Sequence, residues 1–432
     1  MIYHATPRAA RSPARVIHGG PDRLFIIRQS KLDDVATLLR LAKMVYFINL
    51  PPNEQIIGGK IEQSEISFGR AAGKAKQPKN QTSRKSASAS QYEGSDLFMF
   101  SMFDTETGTV IGTSQIRAHQ GGPGNPNWAM KITERTFRSE PLSYSSTHKV
   151  GKLFGDESGP SEIGGLIIQP SYRGNPQRPG RFLSFVRFHF IGLYRKFFAD
   201  RILAEMMAPV STEGENSFWD NFGRKFIPVK YAEADRFCQH NRRFIPELLP
   251  REEIYFSLFS LEVQNMVGEV AKETVPARRL LESMGFKYRG MIDPFDGGPH
   301  LDAQTDQIDL VKKTRTLPLL AAHSGRLGSH GIVSVLTKEA EFRAVETQFA
   351  VEKGGIRLSE EVMSALDVEP GATIGFTPVA PADDAPHHHE PMEKATRNLP
   401  PKAGTSSTNK AKGGPAKNAK SKTSAKSSKV KA

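Results

Sequence analysis

The 432-residue sequence contains a single cysteine, Cys238. One cysteine excludes an internal disulfide framework and is typical of proteins from a reducing compartment. No apolar run approaches the roughly 18 residues that a membrane-spanning helix needs, and the N-terminus lacks the apolar core of a signal peptide. We therefore expect a cytoplasmic protein that does not enter a membrane.

Motifs of several common enzyme classes are also missing. The sequence has no Gly-x-Ser-x-Gly nucleophile elbow, no Walker lysine loop and no Gly-x-Gly-x-x-Gly dinucleotide loop. These absences argue against a serine hydrolase, a P-loop NTPase and a Rossmann dehydrogenase. The three adjacent histidines His387–His389 lack spaced partner ligands, so we assign no metal site to them.

The positive charge lies in two polar stretches rather than across the whole chain, whose net charge is +13. Residues 386–432 hold 11 Lys or Arg against 2 Asp or Glu, and residues 71–90 hold 5 Lys or Arg and no acid. The rest of the chain is therefore close to neutral, which argues against a nucleic-acid-binding face on the folded body. Weak contact of the tail with nucleic acid or an acidic partner stays open.

Hydrophobic residues make up 38% of the chain, enough for two or three folded units. Composition predicts a flexible leader at residues 1–23, a disordered basic loop at 71–90 and a disordered Lys-rich tail at 381–432. Strand and helix patterns predict an α/β domain over residues 24–315, which contains the basic loop, and a small β-rich module over residues 316–380.

The centre of the predicted fold is a strand, a basic loop, a helix and a second strand. Ile163–Gln169 is a short apolar run closed by Pro170, as expected of a buried strand. Arg181–Ala199 carries an apolar stripe at helical spacing, and Ile202–Met207 is the next strand. Together they predict one βαβ unit with a cationic loop at the start of its helix.

The loop Ser171–Gly180 contains two Gly, two Pro and two Arg. A helix N-terminus carries unpaired N–H groups and partial positive charge, and arginine adds charge-assisted hydrogen bonds to phosphate. Glycine allows a ligand to approach the backbone closely. These features predict a phosphate or pyrophosphate site, and the alternative is a basic surface loop without a ligand.

Motifs in and beyond this unit resemble those of one enzyme family. The strand followed by Pro-x-x-Arg, Gly and a helix resembles the acyl-CoA signature of GNAT N-acyltransferases. Further short matches resemble arginine N-succinyltransferase: Ser161–Glu162, Ala204–Met206, Ser217–Trp219, Phe222–Phe226, Phe244–Leu248, Pro276–Arg278, Gly285–Arg289 and Phe295–Pro299. The resemblance is close over residues 161–315 and looser over residues 24–68 and 331–379.

The resemblance implies an α/β (α+β) fold of the GNAT type, with a mixed, twisted sheet flanked by helices. It implies transfer of a succinyl group from succinyl-CoA, a co-substrate rather than a tightly bound cofactor, to the α-amine of L-arginine. The product is then N2-succinylarginine, in the first step of arginine catabolism. Alternatives stay open for the reaction, namely another acyl-CoA or amine, or a protein of this fold that binds without catalysis. The oligomeric state also stays open, as a homo- or hetero-oligomer.

The acyl-CoA contacts are expected on the first strand of the central unit and on the loop after it. The resemblance places Leu166 at the family's acyl-CoA contact, and a strand in this position offers backbone N–H groups to a thioester oxygen. The full set of candidates is Leu166, Ile167, Ile168, Arg173, Gly174, Gly180 and Arg181. The loop departs from the family, because it is two residues longer and has Arg178–Pro179 where a glycine is expected.

Catalysis needs a group that takes the amine proton and benefits from one that protonates the leaving thiolate. Glu162 and Glu205 lie on the two central strands and are candidate bases, with pairing to buried arginines as the alternative. Cys238 and Tyr255 occupy family-like positions. The resemblance puts the family's catalytic histidine at Ala271, and alanine cannot donate a proton. Three alternatives follow: the acid is dispensable, it comes from His300, Tyr255 or Cys238, or the activity has changed.

Overall fold

The computed structural model describes residues 23–44, 50–74, 95–211, 213–238, 244–325 and 327–381. The leader, the basic loop and the tail expected from composition lie outside these ranges, apart from their junctions with the folded body. So do His387–His389. None of the helices in the described ranges is long and apolar enough to cross a bilayer.

The described chain contains both strands and helices. The strands are β1 (Phe25–Gln29), β2 (Leu97–Asp104), β3 (Thr109–Arg117), β4 (Asn127–Ser139), β5 (Tyr144–Asp156), β6 (Ser161–Ile168), β7 (Arg201–Glu205), β8 (Ile254–Tyr255), β9 (Lys287–Ile292), β10 (Pro299–Gln304), β11 (Arg315–Pro318), β12 (Ser329–Leu336), β13 (Phe342–Glu352), β14 (Gly355–Arg357) and β15 (Thr373–Pro378). The α-helices are α1 (Val35–Lys43), α2 (Glu54–Ala71), α3 (Pro179–Leu193), α4 (Ser217–Asn221), α5 (Gly223–Phe226), α6 (Tyr231–Cys238), α7 (Phe244–Leu248), α8 (Leu261–Met266), α9 (Val275–Ser283), α10 (Asp309–Lys313) and α11 (Glu360–Leu366). Strands β2 to β6 follow one another directly, and so do helices α4 to α7.

One mixed sheet runs through the described chain in the order β11-β15-β12-β13-β1-β2-β3-β6-β7-β10-β9-β4-β5-β8, and β14 pairs with β13. Among these pairings β6 with β7 is parallel and the others are antiparallel. A parallel pair needs a crossover connection, and α3 supplies it. This confirms the predicted βαβ unit and the mixed α/β fold class.

Helix α3 is buried more completely than its sequence pattern suggests. Every residue from Phe182 to Ile191 is buried, because the helix packs against the sheet and against α10. It begins at Pro179, two residues before the predicted start, and proline is well suited to the first turn. It ends at Leu193 rather than Ala199, and a short 3-10 turn, Arg195–Phe197, follows.

The β-rich C-terminal segment expected over residues 316–380 adds its strands to the main sheet. Strand β13 pairs with β1, with Ile27 opposite Ala344. The segment also has an apolar core of its own, which includes Val333, Phe349 and Leu366. The first strand of the chain thus joins two sets of strands that are distant in sequence.

Several predicted elements differ from the structure. The sequence predicts a helix over Glu252–Val267, and this is wrong, because β8, a 3-10 turn and the short α8 occupy this range. It also predicts Ser30 as the N-cap of a helix over Lys31–Lys43. Ser30 is not a cap, because its hydroxyl hydrogen-bonds Ser101 while the Asp34 carboxylate accepts from the Lys31 N–H. Helix α2 and the long strand β5 were not predicted.

Candidate active site

The site lies where the parallel strands β6 and β7 separate. The two strands pair only at their beginnings, with Ser161 opposite Ile202 and Glu162 opposite Leu203. Beyond that point β6 contains an extra residue relative to β3, with Gly165 in the left-handed region at φ +57°. A side chain at Gly165 would be strained and would press on Gln115. The bulge redirects the second half of β6 away from β7.

A cavity of about 90 Å³ occupies the gap between the two strands. Its walls come from β6, β7, α3, α9 and the turn that follows β9. They comprise Ile163, Gly164, Gly165, Leu166, Ser184, Arg187, Ala204, Glu205, Met206, Met207, Thr274, Ala277, Leu281, Asp293 and Asp296. Most of this lining is apolar, so its few charged groups mark where a ligand would be oriented.

Three carboxylates line the cavity: Glu205 from β7, and Asp293 and Asp296 from the turn between β9 and β10. The Asp293 carboxylate accepts hydrogen bonds from the N–H groups of Phe295 (2.7 Å) and Asp296 (3.1 Å). That of Asp296 accepts from the N–H groups of Gly298 (2.7 Å) and Ala208 (3.0 Å). These bonds fix both aspartates against the end of β7.

Burial makes the negative charges in this turn costly. It raises the pKa of Asp293, and the nearby charge of Glu205 raises it further while His300 opposes the rise. Burial also raises the pKa of Asp296 well above its usual range, with a further contribution from Asp293. A bound cation would offset this mutual repulsion, so the acidic end of the cavity suits a positively charged ligand.

His300 lies beside this acidic end. It stands opposite Glu205 in the antiparallel pairing of β10 with β7, and its Nε2 lies 3.9 Å from Oε1 of Glu205. His300 is buried, and no residue in the described part of the chain hydrogen-bonds its Nε2. Ligand atoms of Glu205, Asp293 and His300 lie within 4.8 Å of one another, an arrangement that suits an ammonium group or a divalent cation.

Ser184 and Arg187, both on α3, supply further polar groups of the cavity. The Arg187 guanidinium donates hydrogen bonds to the carbonyl (3.1 Å) and the hydroxyl (2.7 Å) of Ser184, one helical turn earlier. Burial is the sole cause that lowers the pKa of Arg187, to about 9. The cavity therefore has carboxylates from β7 and the following turn, and a cation from α3.

The loop between β6 and α3 is held by a buried carboxylate. Tyr172 donates its hydroxyl proton to Asp104 (2.5 Å), which also pairs with Arg23. Two backbone positions of the loop are left-handed, Gly174 at φ +77° and Arg178 at φ +48°. Anchoring at Tyr172 thus fixes a turn that leads into the N-terminus of α3.

A family model described as arginine N-succinyltransferase beta subunit matches residues 25–310. The chain belongs to the arginine N-succinyltransferase family. The arginine N-succinyltransferase of Photorhabdus laumondii is 32% identical over 290 residues, which are 66% of this chain and 83% of that protein. That of Shigella dysenteriae is 31% identical over 297 residues, 68% of this chain and 79% of that protein.

A solved structure extends this similarity to the fold. The arginine/ornithine succinyltransferase subunit AI from Pseudomonas aeruginosa superposes with a TM-score of 0.67 at 25% identity, covering 83% of this chain and 99% of that chain. The predicted GNAT-like architecture and acyltransferase family are thereby confirmed.

The acyl-CoA candidates predicted for this arginine N-succinyltransferase family member divide into two groups. Leu166 lines the cavity, whereas Ile167 is buried among residues of α1 and α2 on the opposite side of β6. Ile168 is half-buried at the end of the strand, Gly180 is half-buried in the first turn of α3, and Arg173 and Gly174 are exposed on the loop. The structure thus places Leu166 on the cavity wall, whereas the loop positions are not among the lining residues.

Arg181 is engaged away from the cavity. Its guanidinium lies 3.6 Å from the Glu346 carboxylate of β13, donates to the Ala380 carbonyl and rests over the Phe185 ring. Burial lowers the pKa of Arg181, while Glu346 opposes the change. These contacts tie α3 to the C-terminal strands, so a phosphate-binding role for Arg181 would compete with an existing ion pair.

The candidate proton-transfer residues are also separated in space. Glu205 faces the cavity, whereas Glu162 stands opposite Arg117 of β3 and is not among the lining residues. Cys238 is buried in the core formed by the helices after β7, and Tyr255 pairs with Val150 on the outermost strand. Neither Cys238 nor Tyr255 lines the cavity, so the catalytic roles of these two residues stay predictions.

Ala271, at the position where the family's histidine is expected, lies beside the cavity. It is buried, and its N–H donates to the carbonyl of Met207, a lining residue (3.0 Å). Four lining residues were not predicted as site residues: Ser184, Arg187, Asp293 and Asp296, of which Asp296 lies in the family-like segment Phe295–Pro299. A single arginine inside the apolar run Phe182–Ile191 was a usable signal for Arg187.

Proposed function

We propose that this protein transfers a succinyl group from succinyl-CoA to the α-amine of L-arginine. The observation that carries the proposal is the acidic end of the cavity, where Glu205, Asp293 and Asp296 converge at the gap between β6 and β7. A cationic amino acid offsets their charge, and the family to which the chain belongs is named for this reaction. No covalent enzyme intermediate is needed when both substrates are held in line.

In this mechanism the arginine ammonium binds beside Glu205 and gives up a proton to its carboxylate. The position of the Glu205 carboxylate is fixed by a hydrogen bond from the Asn127 side-chain amide (2.8 Å). The free amine then attacks the thioester carbonyl carbon. A backbone N–H in the bulge at Gly165 and Leu166 stabilises the oxygen as it becomes negative, because a bulge leaves a residue unpaired in the ladder.

Collapse of the tetrahedral intermediate breaks the carbon–sulfur bond and releases CoA and N2-succinylarginine. A thiol has a reference pKa of about 8.5, so the thiolate is a tolerable leaving group without a dedicated acid. The CoA moiety is assigned to the loop of Arg173, Gly174 and Arg178, at the N-terminus of α3. This assignment rests on the anion preference of a helix N-terminus flanked by arginines.

A panel of acyl donors and acceptors tests the proposal, with free thiol release as the readout. Succinyl-CoA with L-arginine should give sustained release. Arginine blocked at its α-amine should give none, and EDTA should leave the rate unchanged. L-ornithine is the second acceptor of interest, because the acidic end accepts any amino acid with a cationic side chain. Absence of release with every pair would contradict the proposal and favour a binding protein.

A further inference from the structure

Arg187 is a buried cation that faces the reaction cavity. It lies on the third turn of α3, is only 3% exposed, and lines the gap between β6 and β7. Its guanidinium donates hydrogen bonds to the carbonyl and the hydroxyl of Ser184. No carboxylate of the described residues forms an ion pair with it, and burial alone accounts for its lowered pKa.

An uncompensated buried charge is unfavourable, and proteins normally pair such a group or use it to bind an ion. At neutral pH a guanidinium with a pKa of about 9 is still cationic. The carboxylates of Glu205, Asp293 and Asp296 line the same cavity from β7 and from the turn after β9, whereas Arg187 lines it from α3. The cation and the acids therefore occupy different walls of one cavity.

We propose that Arg187, oriented by Ser184, binds the free carboxylate of a dicarboxylic acyl group and thereby selects succinyl-CoA over uncharged donors. This inference rests on the proposed function, since it names the group that recognises the donor. A guanidinium presents several N–H donors in a planar fork that matches a carboxylate. The acidic end then holds the cationic acceptor, so the two substrates are distinguished by opposite charges.

The phosphates of CoA are the other negatively charged groups of the donor that a cation such as Arg187 can bind. Their expected place is the loop before α3, where Arg173 and Arg178 lie close to the helix N-terminus. Arg187 instead lies beyond that terminus, against the walls formed by Leu166 and Met206. This position favours the acyl carboxylate. The two sources also predict different kinetic results, because every acyl-CoA has the same phosphates and only some have a terminal carboxylate.

The test compares succinyl-CoA with butyryl-CoA, which has the same acyl chain length and no terminal carboxylate. In the unmodified protein kcat/KM should favour succinyl-CoA. Arg187→Met should lower kcat/KM for succinyl-CoA about 10- to 100-fold, the value of one charge-assisted contact, and leave butyryl-CoA unchanged or better used. Arg187→Lys should restore much of the preference because it keeps the charge.

Arg138→Met serves as the matched control, since Arg138 is exposed on β4 and away from the cavity. Melting temperatures identify any loss of folding. Equal losses for both donors in Arg187→Met, with a native melting temperature, would overturn the inference in favour of CoA phosphate binding. An unchanged donor preference would overturn it as well. If the unmodified protein turns over neither donor, the proposed function itself is wrong, which is a separate result from a failure at Arg187.

Discussion

The Nε2 atom of His300 lies 3.9 Å from Oε1 of Glu205, across the antiparallel pairing of β10 with β7. This places a titratable nitrogen next to the carboxylate that faces the acceptor end of the cavity. Asp293 completes the cluster at the end of β9. In the proposed mechanism, His300 is therefore a neighbouring proton acceptor for Glu205 once Glu205 has taken the amine proton.

The first prediction concerns this pair. Glu205→Gln should lower kcat/KM for arginine by about 100-fold or more, because an amide cannot take the amine proton and general base catalysis is typically of that size. His300→Gln should cause a smaller loss and change the pH profile of kcat/KM, since Glu205 remains. Steady-state thiol release at several pH values measures both effects.

His189→Gln is the control for the loss of a buried histidine. His189 is fully buried on α3, where it hydrogen-bonds Thr377 and Ser334 instead of cavity residues. The His189→Gln substitution should leave the pH profile of kcat/KM unchanged. Normal turnover in Glu205→Gln would show that the amine loses its proton to another group or to solvent.

The second prediction concerns the loop before α3. Arg173→Ala combined with Arg178→Ala should raise the dissociation constant of CoA about tenfold or more, because each charge-assisted contact contributes roughly 1.5–3 kcal/mol. Isothermal titration calorimetry measures the constant. The double variant Arg138→Ala and Lys149→Ala removes two exposed positive charges elsewhere and should have little effect. Unchanged CoA affinity in the loop variant would remove the loop from the binding site.

The unit of β6, α3 and β7 was predictable because proline and glycine mark the ends of its elements. Pro170 closes β6, Pro179 opens α3, and the intervening loop is rich in glycine and arginine. Helix α2 was missed because Glu54–Ala71 is mostly polar and contains adjacent glycines, which obscure a buried stripe. That stripe comprises Ile57, Ile61, Ser64 and Phe68.

The composition of the cavity was less predictable, because it depends on pairings between distant parts of the chain. Asp293 and Asp296 reach Glu205 only through the pairing of β10 with β7. Within that turn Gly298 packs so tightly that a side chain would strike the Met206 carbonyl, which no local pattern reveals. The family resemblance flagged this Phe-Asp-Gly-Gly-Pro segment, and the fold shows why it lies at the site.

The third prediction follows from the raised pKa values of Asp293 and Asp296. The pKa of an aspartate in the unfolded chain is roughly 3.9. A carboxyl group whose pKa is higher in the folded protein contributes to the free energy of unfolding, and this contribution is fully present below about pH 3.9. The contribution is lost as the pH rises through the folded-state pKa. The free energy of unfolding of the native protein, measured relative to Asp296→Asn, should therefore decrease as the pH rises from 4 toward neutrality.

Urea denaturation of both proteins across this pH range measures the difference. Asp309→Asn is the control, because Asp309 is exposed and its substitution should give no such trend. Saturating arginine should reduce the pH-dependent difference if the acidic end binds the cation. If the native protein instead becomes more stable relative to Asp296→Asn as the pH rises, the raised pKa values of the two buried aspartates would be contradicted.

The last prediction concerns Ala271, whose N–H is bound to Met207 at the wall of the cavity. Loss of a general acid at this position should cost about a hundredfold in rate rather than all activity, since a thiolate leaves readily. Ala271→His should then raise turnover with arginine and introduce a pH dependence near the reference histidine pKa of roughly 6.5. Ala271→Gln, of similar bulk but unable to titrate, is the matched control.

The competing account is that the acid has moved. In that case Ala271→His adds nothing, and His300→Gln, Tyr255→Phe or Cys238→Ser lowers turnover. Of these three residues, His300 lies beside a lining residue, with its Nε2 3.9 Å from Oε1 of Glu205, so His300→Gln should show the largest loss under that account. If none of these variants changes the pH profile, the leaving thiolate takes its proton from solvent.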